Sequence, residues 1–457
     1  MAGTCSSAHA ARALQLGFFD GVYNAAPEER DPWLARSVAV GAQIVRVDVG
    51  WPAPATATRP AGFDARDPAD PQYDFTRADA AVVAADAHGL DVLAGFTSAP
   101  RWADGAGRPA DVTPGTWKPS ARALEEYGAA LARRYSGSFP DPARPGQSLP
   151  RAHAFQLWNE PNLSKYLNPQ WNGRRAYASV LYRRMLNGFY RGVKSVDRKA
   201  IVVTAGTAPF GDPQVGGNRI QPARFWRELL CLRRSRGVLR GTACPNPARF
   251  DVLSHHPYSV GQPRRKALNA DDVSIPDIGK LTTLLRAAER KARALPRKRH
   301  PMWVTEVSYD SKPPDPDGVA QATHARWLQE TFFVLWRQGV STITWFRVHD
   351  QLPVPSFAAT TQSGVFFEDG RAKLAANAFR FPLVAERADR RSLRVWGRSP
   401  LAGRLVIERR AGDRWRSVRT IRVRRHATFL ARVGRVTGRD RLRARIGGER
   451  SLTWIIR

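Results

Sequence analysis

Eight short apolar, β-branched runs alternate with longer segments of helical periodicity between about residue 14 and residue 380. Regular strand–helix alternation indicates a parallel sheet, because the crossover between neighbouring parallel strands is usually a helix. Eight such units are the number that closes a sheet into a (β/α)8 barrel. The predicted strands are Leu14–Phe19, Gln43–Val49, Asp91–Phe96, Ala154–Trp158, Ile201–Ala205, Phe250–Ser254, Met302–Val307 and Thr342–Phe346.

The segments between these runs place apolar residues at three- and four-residue spacing, as an amphipathic helix does. The clearest cover residues 121–135, 174–196, 281–295 and 322–339. A doubly wound open sheet is the structural alternative, but it normally carries a glycine-rich phosphate turn after its first strand. The sequence LGFFDGVYN at that place lacks such a turn. The prediction is therefore an α/β chain with a (β/α)8 barrel over residues 14–382.

The pattern changes after residue 382. From residue 385 to 457, short alternating strands separated by Gly and Asp-Arg turns predict a small all-β sandwich domain. This segment holds 22 Arg, no Lys and six acidic residues, and so carries a net charge of +16. In residues 420–425, TIRVRR, Arg alternates with apolar residues, so one side of the strand is cationic. That side is either a solvated surface or a contact for an anionic polymer.

The formal net charge of the whole chain is +32 at pH 7. Arg-rich coding in a high-GC bacterial genome, a polyanionic glycan partner and nucleic acid are three competing explanations. No helix-turn-helix, zinc-finger or RNA-binding motif supports specific nucleic-acid binding. No segment is long and apolar enough to predict a membrane span. The charge bears on solubility and nonspecific binding rather than on the fold.

The cysteines and the N-terminus bear on where the protein works. Three Cys occur, at positions 5, 231 and 244, without a metal-like Cys-x-x-Cys pair. A disulfide between Cys231 and Cys244 would suit a secreted protein; two free thiols are the alternative. Residues 1–13 are predicted to be a leader or a disordered remnant, since residues 8–13, AHAARA, resemble a signal-peptidase site. We therefore expect a secreted or cell-surface location, although no apolar signal segment is visible.

Two glutamates lie at the ends of predicted barrel strands. Active sites of parallel barrels form at the C-terminal ends of the strands. Glu160 follows the fourth predicted strand and Glu306 lies at the end of the seventh. Strands four and seven face each other across a barrel, so both carboxyl groups converge on one cleft. Such a pair suits glycosidic-bond hydrolysis, at a separation of about 5–5.5 Å for retention and about 6.5–9.5 Å for inversion.

The residues around Glu160 carry a family resemblance. Residues 158–161, Trp-Asn-Glu-Pro, resemble the Asn-Glu-Pro motif of glycoside hydrolase clan A, and the resemblance covers nearly all of the barrel. It implies that Glu160 is the acid/base, that Asn159 binds the sugar 2-hydroxyl and that Glu306 is the nucleophile. Within the clan, the chain most resembles the family 39 β-xylosidases and α-L-iduronidases, or the cellulase-like family 5.

The same resemblance implies supporting residues. Arg46, in VRVDVGW, matches the Arg that pairs with the nucleophile, and a buried charge does need a partner. His256-Pro257-Tyr258 resembles the clan's His-x-Tyr, and it selects His256 over its neighbour His255, since adjacent strand residues face opposite ways. Trp345 matches an aromatic residue that floors the sugar subsite. Trp158 and Trp102, the latter at the end of residues 98–102, SAPRW, complete the substrate-binding or supporting set.

The resulting expectation is a retaining glycoside hydrolase that acts on an oligo- or polysaccharide through a covalent glycosyl-enzyme. No cofactor is expected, and no cluster of His and carboxylates resembles a metal site. The alternative is a catalytically silent protein on the same fold that binds a glycan or the cell wall. The two readings differ in geometry, because catalysis requires both glutamates to point into one open cleft.

Overall fold

The computed structural model describes residues 13–51, 53–54, 56–434 and 440–456. The leader predicted for residues 1–13 therefore lies outside the described residues except for Ala13, and Cys5 lies outside them as well. None of the helices in the described part of the chain combines the length and the apolar character that crossing a bilayer requires.

Eight parallel strands form the barrel. Hydrogen-bonded ladders join seven pairs of neighbouring strands, in the order β6-β7-β8-β1-β2-β3-β4-β5. Isolated bridges between Val203 and Val252 and between Thr207 and His255 close the remaining seam. All eight predicted runs contain or overlap a strand. The strands are β1 (Gln15–Phe19), β2 (Ile44–Asp48), β3 (Asp91–Phe96), β4 (Ala154–Leu157), β5 (Ile201–Val203), β6 (Leu253–His255), β7 (Met302–Val304) and β8 (Val340–Phe346).

A helix follows each strand and covers the outside of the barrel. Local sequence sets several starts: Ser120 accepts a hydrogen bond from the Ala123 amide at 3.2 Å, and Pro27 and Pro222 stand at first helical positions. The helical prediction for 281–295 was too long, because residues 294–295 form a short strand that pairs with residues 248–249. The helices are α1 (Pro27–Ala39), α2 (Thr76–Ala87), α3 (Ala121–Arg134), α4 (Tyr177–Val196), α5 (Pro222–Leu229), α6 (Ile278–Arg290), α7 (Gln321–Arg337) and α8 (Leu374–Arg380).

The interior of the barrel changes from apolar to polar toward the strand exits. A small apolar cluster that includes Ile44, Leu93 and Trp303 fills the lower part. Above it, the Gln156 amide donates to Thr305 Oγ1 at 3.0 Å, and the Ser254 and Thr305 hydroxyls are 2.6 Å apart. This polar layer lies directly below Glu306 and anchors the backbone that carries it.

The C-terminal strands form two antiparallel sheets. One contains β9 (Leu383–Asp389), β10 (Ser392–Arg398) and β13 (Thr428–Gly434). The other contains β12 (Arg414–Val423), β11 (Gly403–Ala411), β14 (Arg441–Ile446) and the short β15 (Glu449–Arg450), with β16 (Trp454–Ile455) also paired to β14. The prediction of a (β/α)8 barrel followed by all-β structure is confirmed.

These sheets pack on the barrel through apolar, hydrogen-bond and ion-pair contacts and share its hydrophobic core. The Trp396 ring lies 5.6 Å from that of Phe333 on α7. The buried Arg398 guanidinium donates to the Gly41 carbonyl at 3.2 Å, just before β2. The structure also contains a disulfide between Cys231 and Cys244, which closes the hairpin of residues 232–241.

A buried histidine makes stability depend on pH. His324 on α7 is fully buried beside Trp345, and burial, with the nearby Lys373 charge, lowers its pKa to about 3. In the unfolded chain it takes up a proton near pH 6.5. Because the folded pKa is depressed, its contribution to stability is complete above pH 6.5 and is lost as pH falls from 6.5 toward 3.

We expect His324→Leu to reduce this acid sensitivity. When the pH falls from 7 to 5, protonation of this histidine should lower the free energy of unfolding of the wild type by about 2 kcal/mol. The variant should not show this part of the loss. Denaturant unfolding of both proteins at the two pH values measures the difference. An equal loss in both proteins would contradict the assignment, whereas a residual loss in the variant is expected because burial also lowers the pKa of His255 to about 3.

Candidate active site

The two glutamates predicted from the sequence meet at the strand exits. Glu160 lies three residues beyond β4, and Glu306 lies two residues beyond β7. One carboxylate oxygen of each, together with a ring nitrogen of His256, all lie within 4.8 Å of one another. Their side chains are 14 % and 11 % exposed. Both carboxyl groups are thus close together, and both reach solvent.

Two donors fix the Glu306 carboxylate, one on each oxygen. Arg46 Nη1 donates to Oε1 at 2.7 Å, and the Tyr258 hydroxyl donates to Oε2 at 3.2 Å. The other terminal nitrogen of Arg46 donates to Asn159 Oδ1 at 3.2 Å, and the guanidinium lies 4.1 Å from the Phe19 ring centroid. A buried guanidinium with both ends bonded is a charge whose desolvation is compensated. Arg46 therefore links the segments that carry Glu306 and Asn159.

The Tyr258 hydroxyl stays protonated. Burial, followed by the charges of Glu306 and Glu160, raises the pKa of Tyr258 well above its usual value. The protonated hydroxyl therefore donates a hydrogen bond to Glu306 Oε2.

We expect Tyr258→Phe to lower kcat on aryl glycosides by about 10- to 100-fold, because Glu306 loses one of its two donors. KM should change less, since Tyr258 acts through Glu306. Steady-state kinetics of Tyr258→Phe and of Tyr190→Phe, on the outer helix α4, measure the effect. Equal activity of both variants would show that the hydrogen bond is unimportant.

His256 joins Glu160 to the polar layer. Its Nδ1 lies 3.0 Å from Glu160 Oε1, and its Nε2 lies 3.0 Å from Thr305 Oγ1. The ring passes directly over Gly206, where an added Cβ would lie 2.0 Å from Nε2. Only glycine leaves room for this ring, and the Gly206 carbonyl also accepts the Glu160 amide at 3.0 Å. The neighbouring His255 points the other way and bonds Thr207 Oγ1 at 2.8 Å.

The backbone that presents Glu160 is strained. Trp158 has φ 73° and Glu160 has φ 37°, both in the left-handed region that non-glycine residues rarely occupy. The Trp158 amide donates to the Phe96 carbonyl at 3.0 Å, and its indole N–H donates to the Tyr166 carbonyl at 2.8 Å. Such conformations persist where the surroundings determine them, and they cluster at functional sites.

A cavity of about 250 Å³ opens beside Glu306. Sequence reasoning missed seven residues that line it. Six of these stand at or next to the end of a strand, so the end of each predicted strand was the signal that could have found them. The seven are Phe19, Asp48, Gly95, Phe96, Thr97, Tyr166 and Phe346. A larger cavity of about 720 Å³ lies beside α2 on the outside of the barrel and contains neither glutamate.

The subsite role predicted for Trp345 is wrong. Its side chain is fully buried; its indole N–H donates to the Ser363 carbonyl at 2.8 Å, and its ring packs 6.1 Å from Phe332 on α7. Successive strand residues face opposite sides, so the neighbouring Phe346 is the aromatic residue that faces the cavity. The error is a shift of one residue at the end of β8.

The other two predicted Trp support loops and do not line the cavity. Trp158 is fully buried against Phe96, with ring centroids 6.3 Å apart. Trp102 is half-buried and packs edge-on against Trp51 at 5.9 Å and Phe63 at 5.8 Å. Both rings stabilise the segments that follow β3 and β4.

Glu160, His256 and Glu306 also have the residue types of a metal site. In the described part of the chain they are the one group whose ligand atoms could converge on a metal ion. Arg46, however, already bonds Glu306 Oε1, the oxygen that lies 3.7 Å from His256 Nε2. A metal ion at this point would meet the positive charge of Arg46. The arrangement is better suited to a pair of carboxyl groups that exchange protons and bonds with a substrate.

No protein-family model matches the chain, and no curated protein sequence matches it either. Many solved structures match the chain, and two of them illustrate the likeness. A family 39 glycoside hydrolase from the gut symbiont Bacteroides cellulosilyticus is 16% identical, with a TM-score of 0.56 over 93% of this chain and 81% of that one. A glucosidase from Croceicoccus marinus is 15% identical, with a TM-score of 0.51 over 91% and 82% of the two chains. At the level of fold, the resemblance to family 39 glycoside hydrolases is confirmed.

Proposed function

We propose that the chain is a retaining glycoside hydrolase that cleaves an oligo- or polysaccharide by double displacement. The observation that carries the proposal is the closeness of the two carboxyl groups, which bring one oxygen each within 4.8 Å. Retaining enzymes keep their two carboxyl groups about 5–5.5 Å apart, whereas inverting enzymes hold them about 6.5–9.5 Å apart to leave room for a water. The short distance favours direct attack by one carboxylate on the anomeric carbon.

The two glutamates differ in surroundings, and this difference supports different roles for them. Glu306, held by Arg46 and Tyr258, is the nucleophile. Its carboxylate attacks the anomeric carbon while Glu160 gives its proton to the glycosidic oxygen, and the bond to the leaving sugar breaks. Glu160 then takes a proton from water, whose oxygen attacks the anomeric carbon and releases Glu306. His256 orients Glu160 throughout.

The cavity favours a neutral sugar at the point of cleavage. Arg46 is the one cationic residue among those that line it, and both ends of its guanidinium are engaged by Glu306 and Asn159. Asp48 adds a further carboxylate. None of the described residues that line the cavity therefore offers a free cation to a uronic acid, although the Lys165 ammonium, outside the lining, lies 5.3 Å from the Tyr166 ring centroid. Phe19 and Phe346 offer apolar surface to a sugar ring.

A fluorinated mechanism-based glycoside tests the function. A 2-deoxy-2-fluoro glycoside of a neutral sugar, with a good leaving group, should label Glu306 covalently, and peptide mapping by mass spectrometry should locate the adduct. The Glu306→Gln variant should remain unlabelled. Labelling of another residue in an active enzyme would overturn the assignment. Glycan binding with neither label nor hydrolysis would instead identify a catalytically silent glycan-binding protein.

We further propose a secreted or cell-surface location. The Cys231–Cys244 disulfide supports this, because such bonds persist mainly in oxidising compartments. Detection of the protein outside intact cells would test it.

A further inference from the structure

The sheet of β12, β11, β14 and β15 has two unlike sides. Its inner side is apolar and buried around Leu405 and Ile407, both 0 % exposed. Toward the turn between β11 and β12 that side also carries arginines, namely Arg409, Arg414, Arg416 and Arg419. Its outer side carries arginine on every strand, and we call these residues the arginine face. The arginine face consists of Arg404, Arg410, Arg422, Arg441, Arg443, Arg445 and Arg450.

Strand register places these side chains opposite one another. Arg404 pairs with Arg422, and Arg445 pairs with Arg450. Directly opposite residues in an antiparallel pair share one side, with Cβ atoms about 4.5–5.5 Å apart, and like charges there are destabilising. Among the described residues, neither the Arg404, the Arg422 nor the Arg450 guanidinium has an acidic partner, and all three residues are exposed. The free protein thus tolerates a repulsion that a bound anion would relieve.

Few acidic groups offset this charge. Glu408 lies at the centre of the arginine face, with its side chain 8 % exposed, and accepts from Arg443 at 2.7 Å and from Arg445 at 2.6 Å. Asp413 in the adjoining turn pairs with Arg410 at 3.0 Å. Seven guanidinium groups therefore face two carboxylates, and those of Arg404, Arg422 and Arg450 have no acidic partner among the described residues.

We propose that the arginine face binds an anionic polysaccharide whose sugar rings carry carboxylates. Guanidinium forks bind carboxylates through two parallel hydrogen bonds, and they do so better than ammonium groups. The sheet repeats these forks across neighbouring strands, about 4.8 Å apart, so an extended polymer meets several in succession. The neutral-sugar cavity and the arginine face would then hold different parts of one heteropolymer.

The surface suits a polysaccharide better than a nucleic acid. Single-stranded nucleic acids are bound by stacking on several exposed aromatic rings. The arginine face offers one ring, Trp415, and the Arg443 guanidinium covers it at 4.1 Å from the centroid. The choice of a glycan also rests on the proposed function. A second contact raises the overall affinity of an enzyme for the polysaccharide that it cleaves.

Polygalacturonate binding by the full chain tests the proposal. The variant R404Q/R422Q removes one opposed pair from the arginine face. The matched control is R233Q/R240Q, which removes an equally exposed opposed pair from the hairpin of residues 232–241. Isothermal titration at low salt should show about a tenfold loss of affinity for the first variant and less than about twofold for the control. Affinity should fall as salt is raised.

Several outcomes would overturn the proposal. Equal losses in both variants would show an effect of net charge alone. Equal affinity for uncharged dextran would remove the role of the carboxylates, and tighter binding of duplex DNA, lost in R404Q/R422Q, would indicate a nucleic-acid surface. Hydrolysis of neutral aryl glycosides should be unchanged in both variants, and Glu306→Gln should still bind polygalacturonate. Loss of binding is thus distinguishable from failure of the catalytic assignment. The melting temperature of R404Q/R422Q should not fall, because the substitution removes a repulsion.

Discussion

Replacing Glu306 by Gln is expected to lower kcat for aryl glycosides by on the order of 10⁴-fold or more, with little change in fold. The amide oxygen of Gln can still accept from Arg46, now 2.7 Å from Glu306 Oε1, so the local packing survives. The amide is nevertheless too weak a nucleophile to attack the anomeric carbon. In the proposed double displacement both reaction steps need this group, so no choice of leaving group should restore the rate.

The control for Glu306→Gln is Glu228→Gln. Glu228 is a half-exposed glutamate whose side chain pairs with Arg175 at 3.2 Å on the outside of the barrel. This variant should keep nearly full activity, and both variants should unfold near the wild-type temperature. More than about a tenth of wild-type kcat in Glu306→Gln, too much for loss of a nucleophile, would exclude Glu306 from that role.

The barrel and its two glutamates were predictable because they depend on regular patterns. Apolar periodicity locates each strand and helix, and strand exits then locate the chemistry. Glu160 and Glu306 follow directly, because they stand just beyond β4 and β7. The placement of Arg46 could be anticipated on physical grounds, since a charge inside an apolar strand needs a partner.

Two kinds of contact were not predictable: those that change when the end of a strand is placed one residue away, and those that depend on long loops. Trp345 and Phe346 differ by one position, and the sequence does not show where β8 stops alternating. Tyr166 reaches the cavity from a loop without periodicity. The buried ion pair between Lys373 and Asp350, 2.6 Å apart, joins parts of the loop after β8. Gly206 matters only because a ring passes over it, which no local pattern reveals.

The largest remaining effect should come from Glu160→Ala, and it should depend on the leaving group. With alkyl or sugar leaving groups, loss of the general acid should lower kcat/KM by about 10²- to 10⁴-fold. Dinitrophenolate departs without protonation, so formation of the glycosyl-enzyme on Glu306 should be spared. Hydrolysis of that intermediate should then be slow, because no base activates water.

Azide provides the decisive measurement on Glu160→Ala. A small anion can enter the space left by the carboxylate, which lies within 4.8 Å of Glu306, and can attack the glycosyl-enzyme without a base. Turnover of the dinitrophenyl glycoside should rise with azide, and the product should be a glycosyl azide of retained configuration. An inverted azide would identify Glu160 as the nucleophile and exchange the two roles. A uniform loss on every leaving group, without azide rescue, would mean that Glu160 positions the substrate rather than transferring a proton.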